Sequence, residues 1–249
     1  MNSILRAIRF KLIRKNSLQK YILYAAGEIL LIVLGILLAV QIGDWNQAKK
    51  DGIERNKLLN ALLVEFESNR NQLDTTIYYN KKTMQTCLEL RSIMRRKGPL
   101  PSLDSLNYLT QQLEWSWTFD PKNGALRSGI SSGSINLINN DSLSYYLFDW
   151  EDIVIDLDEN EKWAVDYQIA SRGLLSEYVR EADRTMYAYY DVAPSPFESD
   201  FEGLFNDPSF DDYLNRRFVL AQDVLFELDD VKEHNESIIA LIKAELQSD

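Results

Sequence analysis

Residues 29–40 form an unbroken apolar run apart from Gly35. Such a run must be enclosed on every side by protein or lie in hydrocarbon, because water solvates neither its side chains nor its length favourably. With its flanks the run extends from Tyr21 to Gly43, 23 residues. At about 1.5 Å of helical rise per residue that is roughly 34 Å, enough to cross a hydrocarbon layer of about 30 Å. Tyr21 and Tyr24 stand at one end and Trp45 at the other, where amphipathic rings favour the membrane interface, and Arg14, Lys15 and Lys20 add basic anchors. A single transmembrane helix over residues 21–43 is therefore expected.

The charge distribution gives this helix a direction. Arg6, Arg9, Lys11, Arg14, Lys15 and Lys20 precede it, whereas Lys49, Lys50, Arg55 and Lys57 follow it. The excess on the leading side predicts a cytoplasmic N-terminus. Ile4, Leu5, Ile8 and Leu12 recur at helical spacing among the basic residues, so residues 1–20 are expected to lie on the inner leaflet as a basic amphipathic tail. A disordered cationic tail is the competing expectation. A cleaved secretory signal fits less well, because Glu28 interrupts the apolar start and no small-x-small site follows Val40.

Within the apolar segment Gly35, Ala39 and Gly43 are spaced by four, a pattern that lets helix backbones approach closely. Glu28 lies seven residues before Gly35 and shares that stripe. A carboxyl near hydrocarbon favours a protonated or partnered state, so the four residues are expected to form a helix-association face. The alternative is that Glu28 snorkels to the headgroups.

The net charge of -11 is uneven: residues 1–45 carry six Lys/Arg against Glu28 and Asp44, or +4, which leaves -15 on the remainder. A domain so acidic, with scattered basic residues, repels phosphate backbones and excludes nucleic acid as an expected partner. The one cysteine, Cys87, rules out an intrachain disulfide and a thiolate zinc site, and its apolar neighbours make it a core residue.

Residues 44–249 read as an acidic helical domain, because Gly and Pro are sparse and alternating strand patterns are missing. The fold class expected is all-α: the transmembrane helix plus a bundle of three long, heptad-patterned helices with short connecting ones. The first seam reads Leu59, Leu63, Phe66, Leu73, Ile77, Met84, Cys87 and Met94, with Arg70, Asn80 and Arg91 between them. The second runs through Leu143, Leu147, Trp150, Val154, Leu157, Glu161, Ala164, Gln168, Ser171, Leu175 and Tyr178. The third contains Leu214, Phe218, Ala221, Leu225, Leu228, Lys232, Asn235, Ile239, Ile242 and Leu246. Gly98-Pro99-Leu100-Pro101 stops the first helix, Ser102 and either Asn140 or Asp141 are N-cap candidates, and residues 128–134 are expected to turn between short helices.

Signs of catalysis are sparse. His234, the sole histidine, sits among charged residues and is expected on a solvated surface without a nucleophile signature. Phosphate-binding glycine motifs are missing. Residues 156–161 imitate the start of a calcium loop, but Glu161 stands where glycine is needed and Tyr167 where a bidentate glutamate is needed. Trp115, Trp117, Phe119, Tyr187, Tyr189 and Tyr190 are aromatic enough to line a groove, although filling the end of a bundle is the simpler role. No enzyme activity, cofactor or metal is expected.

The stretches Ile8-Arg9, Tyr21, Tyr24 to Ile29, Gly35-Ile36-Leu37 and Trp45-Asn46 resemble the membrane motif of an uncharacterised family of small single-pass proteins from Bacteroidota. Ser128 to Gly133, with Leu137, Ile138 and Leu143, is similar to that family's second recurring stretch. The resemblance implies a bacterial inner membrane and a periplasmic helical domain, and it brings no reaction. The expected function is thus a membrane-anchored, non-enzymatic interaction or scaffold protein whose partners are the bilayer and either a second copy or another membrane protein. The alternative is a periplasmic small-ligand sensor that signals through a partner.

Overall fold

The computed structural model describes residues 18–96, 98–184 and 193–247, with side chains from Tyr21 onward. Arg14, Lys15 and the remainder of the basic tail up to residue 17 lie outside the described residues, as do Tyr187, Tyr189 and Tyr190. The described residues are all-helical, without a strand. In order they form α1 (Leu18–Arg95), α2 (Leu103–Gln111), α3 (Gly124–Ser132), a 3-10 turn (Ser134–Leu137), α4 (Asp141–Ala170), α5 (Arg172–Tyr178), α6 (Glu181–Arg184), α7 (Phe201–Asn206) and α8 (Pro208–Gln247). The chain separates into two compact units, residues 1–55 and 56–249.

In the first unit the described structure is the leading part of α1. The chain remains helical through Gly43 and Gly52. Its apolar window is long enough to cross a membrane, and none of that window is buried within the fold.

The second unit is built around two apolar clusters. One gathers Leu59, Leu62, Phe66 and Leu73 of α1, Leu126 of α3, Leu143, Leu147, Trp150 and Leu157 of α4, and Leu228, Val231 and Ile238 of α8. The Phe66 and Trp150 rings meet in a T-shaped arrangement with centroids 5.0 Å apart, a favourable aromatic geometry. The other cluster holds Cys87 and Leu90 of α1, Leu106 and Leu109 of α2, Leu113, Leu175 of α5, Leu204 of α7, and Phe210 and Leu214 of α8. The buried stripe of α4 matches the heptad pattern expected of it at Leu143, Leu147, Trp150, Leu157, Glu161, Ala164 and Gln168.

In α1 the buried stripe lies one residue before the expected one at every second position, although the expected Ile77 is buried as well. The buried stripe runs Leu59, Leu62, Phe66, Asn69, Leu73, Thr76, Asn80, Thr83, Cys87 and Leu90, a regular alternation of three and four. Leu63, Met84 and Met94 are only half-buried. Helix α8 shows the same shift, with Arg217, Val224, Val231 and Ile238 buried where Phe218, Leu225, Lys232 and Ile239 were expected, although Leu225 and Ile239 are buried as well.

Local capping agrees with the residue types. The Ser102 side chain accepts from the Ser105 amide at the start of α2, and Asn140 rather than Asp141 caps α4 by accepting from the Leu143 amide at 3.0 Å. Residues 128–132, expected as a turn, belong to α3, and the chain reverses only at Gly133, whose φ of 77° is left-handed. Substituting Gly133→Ala should lower unfolding stability by about 1 kcal/mol, with Gly133→Asn costing less, because only Gly and, to a degree, Asn adopt this backbone cheaply. Urea denaturation of the three proteins checks this order.

Candidate functional site

Two features merit a functional reading, one in each unit. On α1, Glu28, Gly35, Ala39 and Gly43 fall within an arc of about 80° at 100° per residue. Gly35, Ala39 and Gly43 are exposed and Glu28 is half-buried. A Cβ placed on Gly35 or Gly43 would meet nothing within 4 Å, so the backbone there is open to close approach. Of the interface anchors, Tyr21 and Tyr24 are half-buried and Trp45 is exposed, while Lys20 lies in the first turns of α1.

In the second unit the chain between α2 and α3 has no regular structure over residues 115–123, yet its ends enter different cores, Leu113 in one apolar cluster and Phe119 in the other. Where such a segment packs against the helices without helix or strand partners, its amides and carbonyls must be satisfied some other way. Polar side chains on the helix seams do this, holding the segment as a strap across the bundle. Gln168 donates to the Glu114 carbonyl at 2.7 Å, Arg217 to the Trp115 carbonyl at 3.0 Å, and Asn80 to the Trp117 carbonyl at 3.1 Å. The Phe119 amide donates to both carboxyl oxygens of Glu161, at 3.0 and 3.1 Å. Asn69 makes a two-way clasp on Lys122, accepting from its amide at 2.8 Å and donating to its carbonyl at 2.9 Å. Glu65 of α1 accepts from the Ala125 and Leu126 amides at 2.7 and 3.0 Å. It thereby caps α3 in place of Asn123, whose side chain takes the Trp150 indole N–H at 2.9 Å.

The electrostatics of this strap are uneven. Glu161 is almost fully buried and finds no cation among the described residues, so loss of solvation pushes its carboxyl up to about 8, opposed by the Phe119 amide and reinforced by Asp120 and Asp158. Just before the strap, Glu114 pairs with the buried guanidinium of Arg184, yet burial still holds its carboxyl above the usual range. Arg217 is buried as well and donates to three neutral oxygens, on Trp115, Ser116 and Ala164. Cys87 is fully buried, and its thiol is pushed up to about 12, which keeps it protonated and unreactive.

Several roles expected from the sequence change in the fold. His234 is not on a solvated surface: it is 7% exposed, hydrogen-bonded through Nε2 to the Tyr146 carbonyl at 2.8 Å and packed edge-on against the Tyr146 ring. Its charged sequence neighbours point outward while its own position faces α4. In the calcium-loop lookalike Leu157 and Glu161 face the core, so that string is one stretch of helix. Among the aromatics Phe119 is core, but Trp115 and Trp117 remain partly exposed, and Trp117 lies flat on Tyr79 with ring centroids 3.9 Å apart. Of the residues that sequence reasoning missed, Asn69 and Thr76, whose hydroxyl donates to the Thr118 carbonyl at 3.4 Å, had one available signal, polar side chains seven residues apart in an otherwise apolar stripe; Glu65, one residue off that stripe, had none.

These features define an all-helical protein with one apolar N-terminal helix long enough to cross a membrane. The chain belongs to a family of unknown function, DUF6090, whose model matches residues 28–152. That stretch opens at Glu28, includes the small-residue face and the whole strap, and ends within α4. No curated protein and no solved structure matches the chain.

Because the folded carboxyl of Glu161 sits at about 8, above its usual 4.5, the fold binds its proton more tightly than the unfolded chain does. The resulting stability is present in full below about pH 4.5 and is lost as pH rises through 8. Glu161→Gln retains an acceptor for the Phe119 amide and should flatten the decline in unfolding stability between pH 5 and pH 9 relative to wild type. Thermal melts across that range check it.

Proposed function

We propose that this is a non-enzymatic interaction protein held in a bacterial inner membrane by residues 21–43, with residues 1–20 cytoplasmic and residues 44–249 periplasmic. Its apolar helix pairs, through Glu28, Gly35, Ala39 and Gly43, with a second copy or with another membrane protein. The observation that carries this reading is the close-approach face at Gly35 and Gly43 on an apolar stretch of α1 whose Leu, Ile and Val side chains are all exposed. Leaving a Leu, Ile or Val side chain in water forgoes roughly 1.5–3 kcal/mol each, so a run of this length needs hydrocarbon. Within hydrocarbon, small residues and a carboxyl supply packing and hydrogen bonding that aliphatic side chains do not. The basic excess before the helix supports the orientation, and the resemblance to single-pass Bacteroidota proteins supports the membrane.

Crosslinking in native membranes tests the association. Wild type should give a dimer or a discrete mixed complex, and Gly35→Leu and Glu28→Ala should each reduce it severalfold; an unchanged pattern in both removes the proposal. A periplasm-dependent phosphatase fused to the C-terminus should be active, and an inactive fusion reverses the orientation.

A further inference from the structure

Helix α4 carries a second stripe, directed away from the core. Tyr145, Phe148, Ile155 and Trp163 are all more than half exposed, at 64%, 55%, 51% and 62%. At 100° per residue they fall within an arc of about 80°. Asp152, Glu159 and Asp166 lie in the same arc and are exposed too. Read in order, Tyr145, Phe148, Asp152, Ile155, Glu159, Trp163 and Asp166 advance by three or four residues at each step, and the three acids recur every seven. This is the spacing of a helix-packing seam, not of a solvated face, which has no reason to expose four large apolar side chains in register. Among the described residues none of the three acids makes an ion pair, and Lys162 is the single basic residue of α4.

The charge pattern selects the occupant. A second copy laid on this face would bring acidic rows together, which like-charge repulsion disfavours. An anionic membrane surface is repelled for the same reason. A helix with apolar residues at the same spacing and Lys or Arg every seventh position satisfies both the aromatic and the acidic parts of the stripe, and its cations gain further from the faces of Trp163 and Phe148. We propose that the outward face of α4 is a docking site for a cationic amphipathic helix of a partner protein. The site uses residues of α4 and does not depend on which side of a membrane the second unit occupies.

The test uses the full chain in phosphatidylcholine nanodiscs, with empty nanodiscs subtracted, and follows the anisotropy of a labelled synthetic helix carrying Leu at the seam positions and Lys every seventh residue. A peptide with Glu in place of Lys is the control. The Lys peptide should bind, weaken with salt, and lose at least tenfold in affinity against both Phe148→Ser/Trp163→Ser and Asp152→Asn/Glu159→Gln/Asp166→Asn. Phe226→Ser, which alters an exposed aromatic on α8, should leave binding unchanged, and circular dichroism confirms that the variants fold. No binding, equal binding of the Glu peptide, or equal affinity for wild type and both multiple variants overturns the proposal. So does crosslinking between copies that Phe148→Ser/Trp163→Ser abolishes, since it assigns the face to a second copy.

Discussion

A segment of chain with no secondary structure of its own, anchored by Phe119 in one apolar core and preceded by Leu113 in the other, is the constraint around which the second unit is organised. Helices and strands satisfy their backbone groups internally, but residues 115–123 cannot, and each unpaired group left away from water costs about 1–3 kcal/mol. The helices answer with Gln168, Arg217, Asn80, Glu161 and Asn69, drawn from α4, α8 and α1. Each of these polar residues occupies a seam position that would otherwise pack an aliphatic side chain. The strap therefore accounts for the polar interruptions in the buried stripes of α1, α4 and α8, and it ties the cluster around Phe119 to the cluster around Leu113.

The same constraint explains what the sequence made legible. Helix α4 was readable because its polar seam residues are few and its aliphatic ones are regularly spaced. In α1 and α8 hydrophobic spacing favoured Met84 and Phe218, the more apolar member of each neighbouring pair, whereas the fold turns Thr83 and Arg217 inward and buries Thr76 alongside the expected Ile77. Hydrophobic periodicity ranks candidates by burial preference and carries no information about a backbone that will need hydrogen bonds from elsewhere in the chain. His234 misled for a related reason: its local sequence is charged, but its position borders Asn235, which reaches the Phe66 carbonyl at 3.1 Å from within the seam. The apolar helix was legible because composition and length decide it locally. Gly133 was half legible, since glycine and serine marked a reversal without revealing that helix α3 fills most of that stretch.

The two faces proposed to bind other helices differ in kind: that on α1 offers close backbone approach, and that on α4 an acidic, aromatic seam. The most perturbed groups, Glu161, Cys87 and Tyr213, owe their shifts first to burial, and the structure gives each a packing or strap-holding role. Perturbation of this kind accompanies catalysis in clefts, but here it follows from enclosing polar groups in a helical core.

Amide hydrogen exchange tests the central claim most directly. In wild type the Phe119 and Lys122 amides should be protected to a degree comparable with the middle of α4. Asn69→Ala, which removes the clasp on Lys122, should speed exchange across residues 115–123 by at least tenfold while the centre of α4 remains protected. Unchanged protection of the strap in that variant, or fast exchange there already in wild type, would contradict the account.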